Sequence, residues 1–323
     1  MGEVIRLHCP PAGKKKGERV KILFDGIRKW VYSDPLKELV ELYGGRVPEH
    51  MQIGEYIGWL NEFADVWDFR KKQPGGGERW TVADDEKCQG HRELILRNAH
   101  LLGMADSECP NANPDFILPL GGARRANLAR AQGAREMAGK FSDSRPRIVA
   151  LTGRRPLHEV ERPYLEEYAP NARDEYEAMN GGLEKAFGLS GCEYLETTYV
   201  TENINLQWAK REYMQACQGC KIYSVAAPSS DPGRRANSFD TFQFFMERFE
   251  VNKAQRLLLV TSCIYAPFQL LKFIPLSLER DIEVDVYGVT PNVAGSQFSK
   301  PSNYLQEIKG AINAISQLNS MFG

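Results

Sequence analysis

Apolar and polar positions along this chain follow two regimes. Up to about residue 110 the apolar residues recur at three- and four-residue spacing, which predicts helices. The run PLKELVELYGG after Asp34 ends in Gly44-Gly45, a C-terminal stop, and GEYIGWLNEFADVWDF from Gly54 to Phe69 carries a broad apolar face. Its aromatic stripe, Tyr56, Trp59, Phe63, Trp67 and Phe69, is of the kind that most often packs a core. Lys71 to Glu78, KKQPGGGE, breaks the pattern, and Gly90 to Met104 resumes it as a further helix. Residues 1–19, polar with Pro10-Pro11 and Gly13, read as a loosely held arm.

Beyond residue 110 the period changes. Short apolar runs at Asp115–Leu120, Ile148–Leu151, Tyr194–Val200, Lys221–Ala227, Arg256–Ser262 and Ile282–Val289 predict strands. Helical segments lie between them, among them Ala123–Gly139, a stretch through Leu183 to Phe187, FQFFMERF, the run to Phe273, and Tyr304–Met321. Thr201-Glu-Asn-Ile-Asn reads as the capped start of one more helix ending near Cys217. Strands alternating with helices predict an α/β fold with a doubly wound, mainly parallel, Rossmann-like sheet. The expected division is a helical extension or cap over residues 1–110 and the α/β core over 111–323.

At 323 residues the chain is long enough for a real core, and its formal net charge of −1 argues against a general nucleic-acid binder. Any anion site must therefore be local. No apolar stretch approaches a membrane span and the first twenty residues lack the apolar centre of a signal peptide, so a cytoplasmic protein is expected. Seven scattered cysteines fit reduced thiols, and Cys217-Gln-Gly-Cys220 lacks the second ligand pair a structural zinc needs.

The stretch Asp115–Arg130, DFILPLGGARRANLAR, reads as strand, glycine turn and helix start. Gly121 and Gly122 would bring backbone N–H groups to an anion at a helix N-terminus, with Arg124 and Arg125 as forked donors. A second corner, Thr152-Gly153-Arg154-Arg155, follows the next strand, and parallel strand ends share one edge. Four arginines so placed need anionic partners, whether a ligand or acids such as Glu159. Glu175 or Glu177 at the next helix start would project toward the same edge, unless they serve only as a favourable first turn. The polar loop after Ala227 adds Arg235, Asn237, Ser238 and Asp240, which suit either a ligand or a helix cap.

These loops, in their order, resemble the YdcF/SanA/ElyC-like family. The matching pieces are Gly121-Gly122, Thr152-Gly153, Glu175 or Glu177, Asn237-Ser238-Phe239-Asp240-Thr241 and Val260-Thr261-Ser262, spanning about residues 115–290. The resemblance implies a Rossmann-like fold with a crevice at the strand ends for a nucleotide-like or phosphorylated ligand. Where that family has a histidine and an arginine after V-T-S, this chain has Tyr265 and Gln269. Where it has N-T-x-E-N, this chain has N-S-x-D-T, which keeps an acid at Asp240.

The expectation is an enzyme that binds a nucleotide, adenosyl or other phosphorylated small molecule at the strand carboxyl ends and catalyses hydrolysis or group transfer. Asp240 is the first choice of general base, with Glu159 and Glu175 behind it and Tyr265 to stack or donate a proton. Thr152, Thr261 and Ser262, with Gln269, would orient the substrate. No motif names a cofactor, although carboxylates beside a phosphate leave room for magnesium. Two other classes stay open: a binding or sensor module without chemistry, and a thiol enzyme using Cys263 at a helix start. The only partner called for is a small anionic molecule; a homodimer is compatible with this reading.

Overall fold

The computed structural model describes all residues except Met1, Glu49, 72–81, Ser107, Asn111, Gln218 and 291–299. Most of the Lys71–Glu78 break lies outside the described residues. The chain forms two compact units, one of residues 1–107, 263–279 and 290–323, the other of 108–262 and 280–289.

The first unit is helical. It contains α1 (Lys16–Val31), α2 (Asp34–Leu42), α3 (Ile53–Phe63), α4 (Glu86–Gly90) and α5 (Arg92–Leu101). The aromatic stripe packs inward as its spacing suggested: Trp59 stacks on Tyr56 and Phe63, whose ring meets the buried Trp67 edge-on. The expected loose arm is instead anchored. Ile5 N–H donates to Leu101 O at 2.7 Å, and buried Arg19 donates to Pro10 O and Ser277 O.

The second unit is built on a seven-stranded sheet. Its strands are β1 (Phe116–Pro119), β2 (Arg147–Thr152), β3 (Tyr194–Tyr199), β4 (Trp208–Tyr213), β5 (Ile222–Ala226), β6 (Arg256–Ser262) and β7 (Glu283–Val289). Their order is β3-β4-β5-β2-β1-β6-β7; β4 pairs antiparallel with both β3 and β5, and the other pairs are parallel. Counting the parallel strands alone, the order is third, second, first, fourth, fifth, the Rossmann arrangement, so the α/β expectation holds. Central strands β1 and β5 are buried throughout, as parallel strands covered on both faces must be. The segment expected as a helix after Thr201 is instead the turn and second strand of the β3–β4 hairpin; in that strand, WAKREY, Ala209 and Tyr213 are buried on one face and the residues between them are half-buried.

Helices α6 (Ala126–Lys140), α7 (Arg162–Leu165), α8 (Glu175–Phe187) and α9 (Ser238–Arg248) follow strands of this sheet. Successive side chains of β5 show the layering: the Tyr223 ring meets Phe249, just past α9, while the Ser224 hydroxyl meets Asn180 of α8. Helices α10 (Ala266–Arg280) and α11 (Pro301–Phe322) depart from the linear division expected at residue 110. Through residue 279 α10 belongs to the helical unit, and α11 packs on α3 and α5 within it. An amphipathic helix carries the same pattern whichever neighbours cover its apolar face, so the pattern alone assigned these helices to the sheet.

Helix α8 passes close to the loop that precedes it. A Cβ at Gly181 would collide with the carbonyl oxygen of Tyr168 and stand 2.8 Å from Ala169 Cβ. Gly181→Ala is therefore expected to destabilise the protein by roughly 1–3 kcal/mol despite alanine's better helix propensity, measurable by urea unfolding.

Candidate functional site

Parallel strand ends of the sheet unit gather on one edge, and the order reverses between β1 and β6. At this switch point Arg130, in the second turn of α6, donates Nη1 to Leu120 O at 2.9 Å and to Gly121 O, and Nη2 to Ser262 Oγ at 3.3 Å. One buried guanidinium thus fastens the carboxyl ends of both strands. Gly122 is required here because a Cβ would lie 2.8 Å from Ala126 Cβ and 2.9 Å from Arg130 Nη1.

The glycine corner differs from its expected use. Gly121 N–H is taken by Leu151 O at 2.7 Å and Gly122 N–H by Asn127 Oδ1 at 2.8 Å. Arg124 N–H reaches Glu161 Oε1 at 3.3 Å. The expected backbone donors are therefore spent within the chain, and the anion beside this helix start is a buried side chain. Arg124 itself has φ 56°, a left-handed conformation that costs a non-glycine residue about 1–3 kcal/mol. Tyr168 OH holds it by donating to its carbonyl at 2.5 Å, and its guanidinium lies 4.9 Å from the Tyr164 ring centroid.

Glu161 is the hub of this corner. It is fully buried and accepts Arg155 Nη1 at 2.7 Å, Arg155 Nη2 at 2.9 Å and the His158 N–H at 2.9 Å. Burial alone would raise its pKa, but the Arg155 guanidinium and the backbone donors outweigh that and lower it. Burial would likewise lower the pKa of Arg155, and the carboxylates Glu161 and Glu175 raise it instead. Arg155 Nε donates to Glu175 Oε2 at 2.9 Å. The Glu175 carboxylate is carried over the end of β1: a Cβ at Gly121 would collide with Glu175 Oε1 and stand 3.1 Å from Thr152 Cγ2. Only glycine at 121 leaves room for that carboxylate.

The remaining expected residues divide between this cluster and other tasks. Arg154 pairs with Asp174 at 2.8 Å and lies 5.3 Å from the Tyr176 ring centroid, so the two arginines after β2 already have acids of the chain. Arg125 is exposed, 3.7 Å from Glu167. Glu159 is not the acid that neutralises them: its side chain is 86% exposed and stands 3.9 Å from Arg162. Thr152 donates its hydroxyl to Val225 O, and Gly153 approaches Ala236 of the loop after β5. Ser262 accepts from Arg130, whereas the Thr261 hydroxyl, wholly buried, has no hydrogen-bond partner among the described residues.

In the loop after β5 the geometry favours capping. Asn237 is the N-cap of α9, Ser238 its first residue, and Asp240 completes a capping box with Asn237. Arg235 lies exposed just before it. Burial would raise the Asp240 pKa, but Arg234, the Ser230 hydroxyl and the N–H groups of Asn237 and Ser230 hold it at about 2. A carboxylate so engaged is a weak base at neutral pH. Tyr265 and Gln269 belong to the helical unit. Burial pushes the Cys263 thiol up to about 12, the reverse of what a thiol enzyme requires.

Glu161, Asp174, Tyr168 and Arg130 were not singled out by sequence. Arg130 closes the organising stretch, but nothing local marks Glu161 six residues after Arg155 as its partner. Among the described residues, no group of three or more His, Cys, Asp or Glu side chains could hold a metal ion. A shallow cavity of about 450 Å³, lined by Gln132, Arg135, Glu136 and Lys185, lies toward the opposite end of α6. It is remote from these carboxylates.

A family model described as the Rv3785 N-terminal domain matches residues 14–103, which hold α1 to α5. The chain is also similar to uncharacterized protein Rv3785 of Mycobacterium tuberculosis (strain ATCC 25618 / H37Rv). They are 27% identical over 317 residues, covering 90% of this chain and 87% of that protein. The same figures hold for uncharacterized protein Mb3814 of Mycobacterium bovis. No solved structure matches this chain. Among the described residues no helix is long and apolar enough to cross a membrane.

Two variants test these assignments. Glu161→Gln leaves a buried guanidinium with one carboxylate instead of two and should cost about 3 kcal/mol in urea unfolding. Asp240→Asn should cost about 1 kcal/mol at neutral pH through the weakened cap. Because the folded pKa is depressed from 3.8 to about 2, the ionised group's contribution is complete above pH 3.8 and is lost as pH falls toward 2. The gap between Asp240→Asn and the parent protein should close over that window.

Proposed function

We propose that the chain is a cytoplasmic enzyme that takes a nucleotide-like or other phosphorylated small molecule at the carboxyl edge of its sheet and hydrolyses it or transfers a group from it. The observation that carries this reading is the Glu175 carboxylate, held by Arg155 over Gly121 beside the β1–β6 switch point. Such a crevice is where open α/β sheets bind their ligands. Glu175 replaces Asp240 as the acid–base group in this reading. Its Oε2 is engaged by Arg155, leaving Oε1 to accept a proton from water or an acceptor hydroxyl.

Exposed Arg125 and Arg235, with Arg124, are assigned the anionic portion of the ligand, while Arg154 and Arg155 hold Asp174, Glu161 and Glu175. Backbone donors of Gly121 and Gly122 take no part. That last point also favours a second reading, a module that binds a ligand at this edge without transforming it: the anion cradle of a dinucleotide fold is filled here by internal bonds.

A thermal-shift screen against nucleotides, adenosyl compounds, sugar phosphates and coenzyme A derivatives, with and without magnesium, tests the proposal. A ligand at about 100 times its Kd adds about 2.7 kcal/mol to stability and raises the melting temperature. Turnover of a ligand so found should fall by about 100-fold or more in Glu175→Gln while the thermal shift persists. Gly121→Ala should displace the same carboxylate and lose turnover. Binding without turnover selects the second reading, and a melting curve unmoved by every phosphorylated compound sinks both.

A further inference from the structure

β3 ends the sheet, and among the described residues no strand pairs with its outer side. All six of its residues are exposed. Tyr194 at 45%, Leu195 at 63%, Tyr199 at 52% and the following Val200 at 69% leave a row of apolar side chains in water. An edge of this kind is a template for a further strand unless lysine, proline, a bulge or a cover blocks it. β3 has neither lysine nor proline, and its pairing with β4 runs unbroken from Tyr194 to Tyr199. Its one charge, Glu196, is neutralised on its own chain by Arg211 at 2.9 Å and accepts the Tyr176 hydroxyl at 2.9 Å. The opposite edge strand, β7, carries Glu283 and Asp285.

The phase of the ladder decides which occupant fits. Met214 N–H donates to Glu193 O, so alternation makes 195, 197 and 199 the residues bonded to β4. Tyr194, Glu196 and Thr198 then direct their backbone donors and acceptors outward. Consider a second β3 laid antiparallel about a twofold axis at Thr197. Outward groups of Glu196 meet those of Thr198, and those of Tyr194 meet Val200. Directly opposed side chains become Leu195 with Tyr199, Glu196 with Thr198, and Thr197 with itself. Apolar residues face apolar or aromatic ones, hydroxyls meet a carboxylate or each other, and no like charges oppose. An axis at Glu196, the neighbouring register, would set that carboxylate against its own copy.

We propose that β3 is a homodimer interface, joining two copies of this chain by antiparallel pairing about a twofold axis at Thr197, so that one sheet continues through both sheet units. The contact is isologous, which closes the assembly at two copies. It rests on the edge strand alone and is independent of the proposed chemistry.

Sedimentation velocity on the full chain at about 100 µM, where a contact of micromolar strength is saturated, should give twice the chain mass. Thr197→Lys places two ammonium groups face to face across the axis and should sediment as a monomer with an unchanged circular dichroism spectrum. Thr197→Cys sits opposite its own copy and should form a disulfide-linked dimer under a mild oxidant. Thr198→Cys, opposite Glu196, should form no more than the parent protein with its own cysteines. A monomeric parent at that concentration, or a dimer that survives Thr197→Lys and fails to cross-link through Thr197→Cys, overturns the proposal. If Thr197→Lys loses its fold, cross-linking of Thr197→Cys decides.

Discussion

The bidentate pair between Arg155 and buried Glu161 is the interaction on which the carboxyl edge of the sheet depends. A carboxylate with no exposed surface is tolerated only if its lone pairs are filled, and Glu161 accepts from Arg155 and from two backbone N–H groups. Those bonds reach in three directions: to the turn after β1 through Arg124, to the loop after β2 through Arg155 and His158, and through Arg155 to Glu175 on α8. Three segments far apart in sequence are thereby held by one charge cluster. Its desolvation is offset by hydrogen bonds, so its contribution is to position groups more than to stabilise the fold.

Strain and steric demand collect at the same place. The left-handed backbone of Arg124, the glycine needed under Glu175, and the glycine needed beside Arg130 lie within four residues. Each is a local cost that a mere connection between strand and helix would not require. Their coincidence with the strand-order reversal is why the proposed chemistry is given to Glu175 and not to Asp240, which Arg234 holds in a cap.

Glu196 links the two regions of interest in the sheet unit. It lies on the exposed strand β3 yet accepts from Tyr176, the residue after Glu175. The outer edge of the sheet and the first turn of α8 thus share a hydrogen bond, although nothing in either proposal requires them to act together.

Local pattern sufficed for much of the architecture. Four-residue apolar runs such as Phe116–Pro119, flanked by glycine and followed by an alanine-rich segment, specify a buried strand and a helix because the two periodicities differ and burial enforces them. The same reasoning failed at 208–213, where a polar-rich amphipathic strand was read as helix, and at α10 and α11, whose apolar faces do not state what covers them. In the site, glycine corners, paired arginines and Glu175 were legible because their residue types restrict backbone and charge. Which acid answers which arginine was not: ion pairing acts through space, and Glu161, Asp174 and Glu175 meet Arg155 and Arg154 only once the loop after β2 folds back onto α8. Tertiary structure alone decided that the backbone donors of the glycine turn would be satisfied from within, because hydrogen-bond partners are chosen by proximity after packing and not by position along the chain.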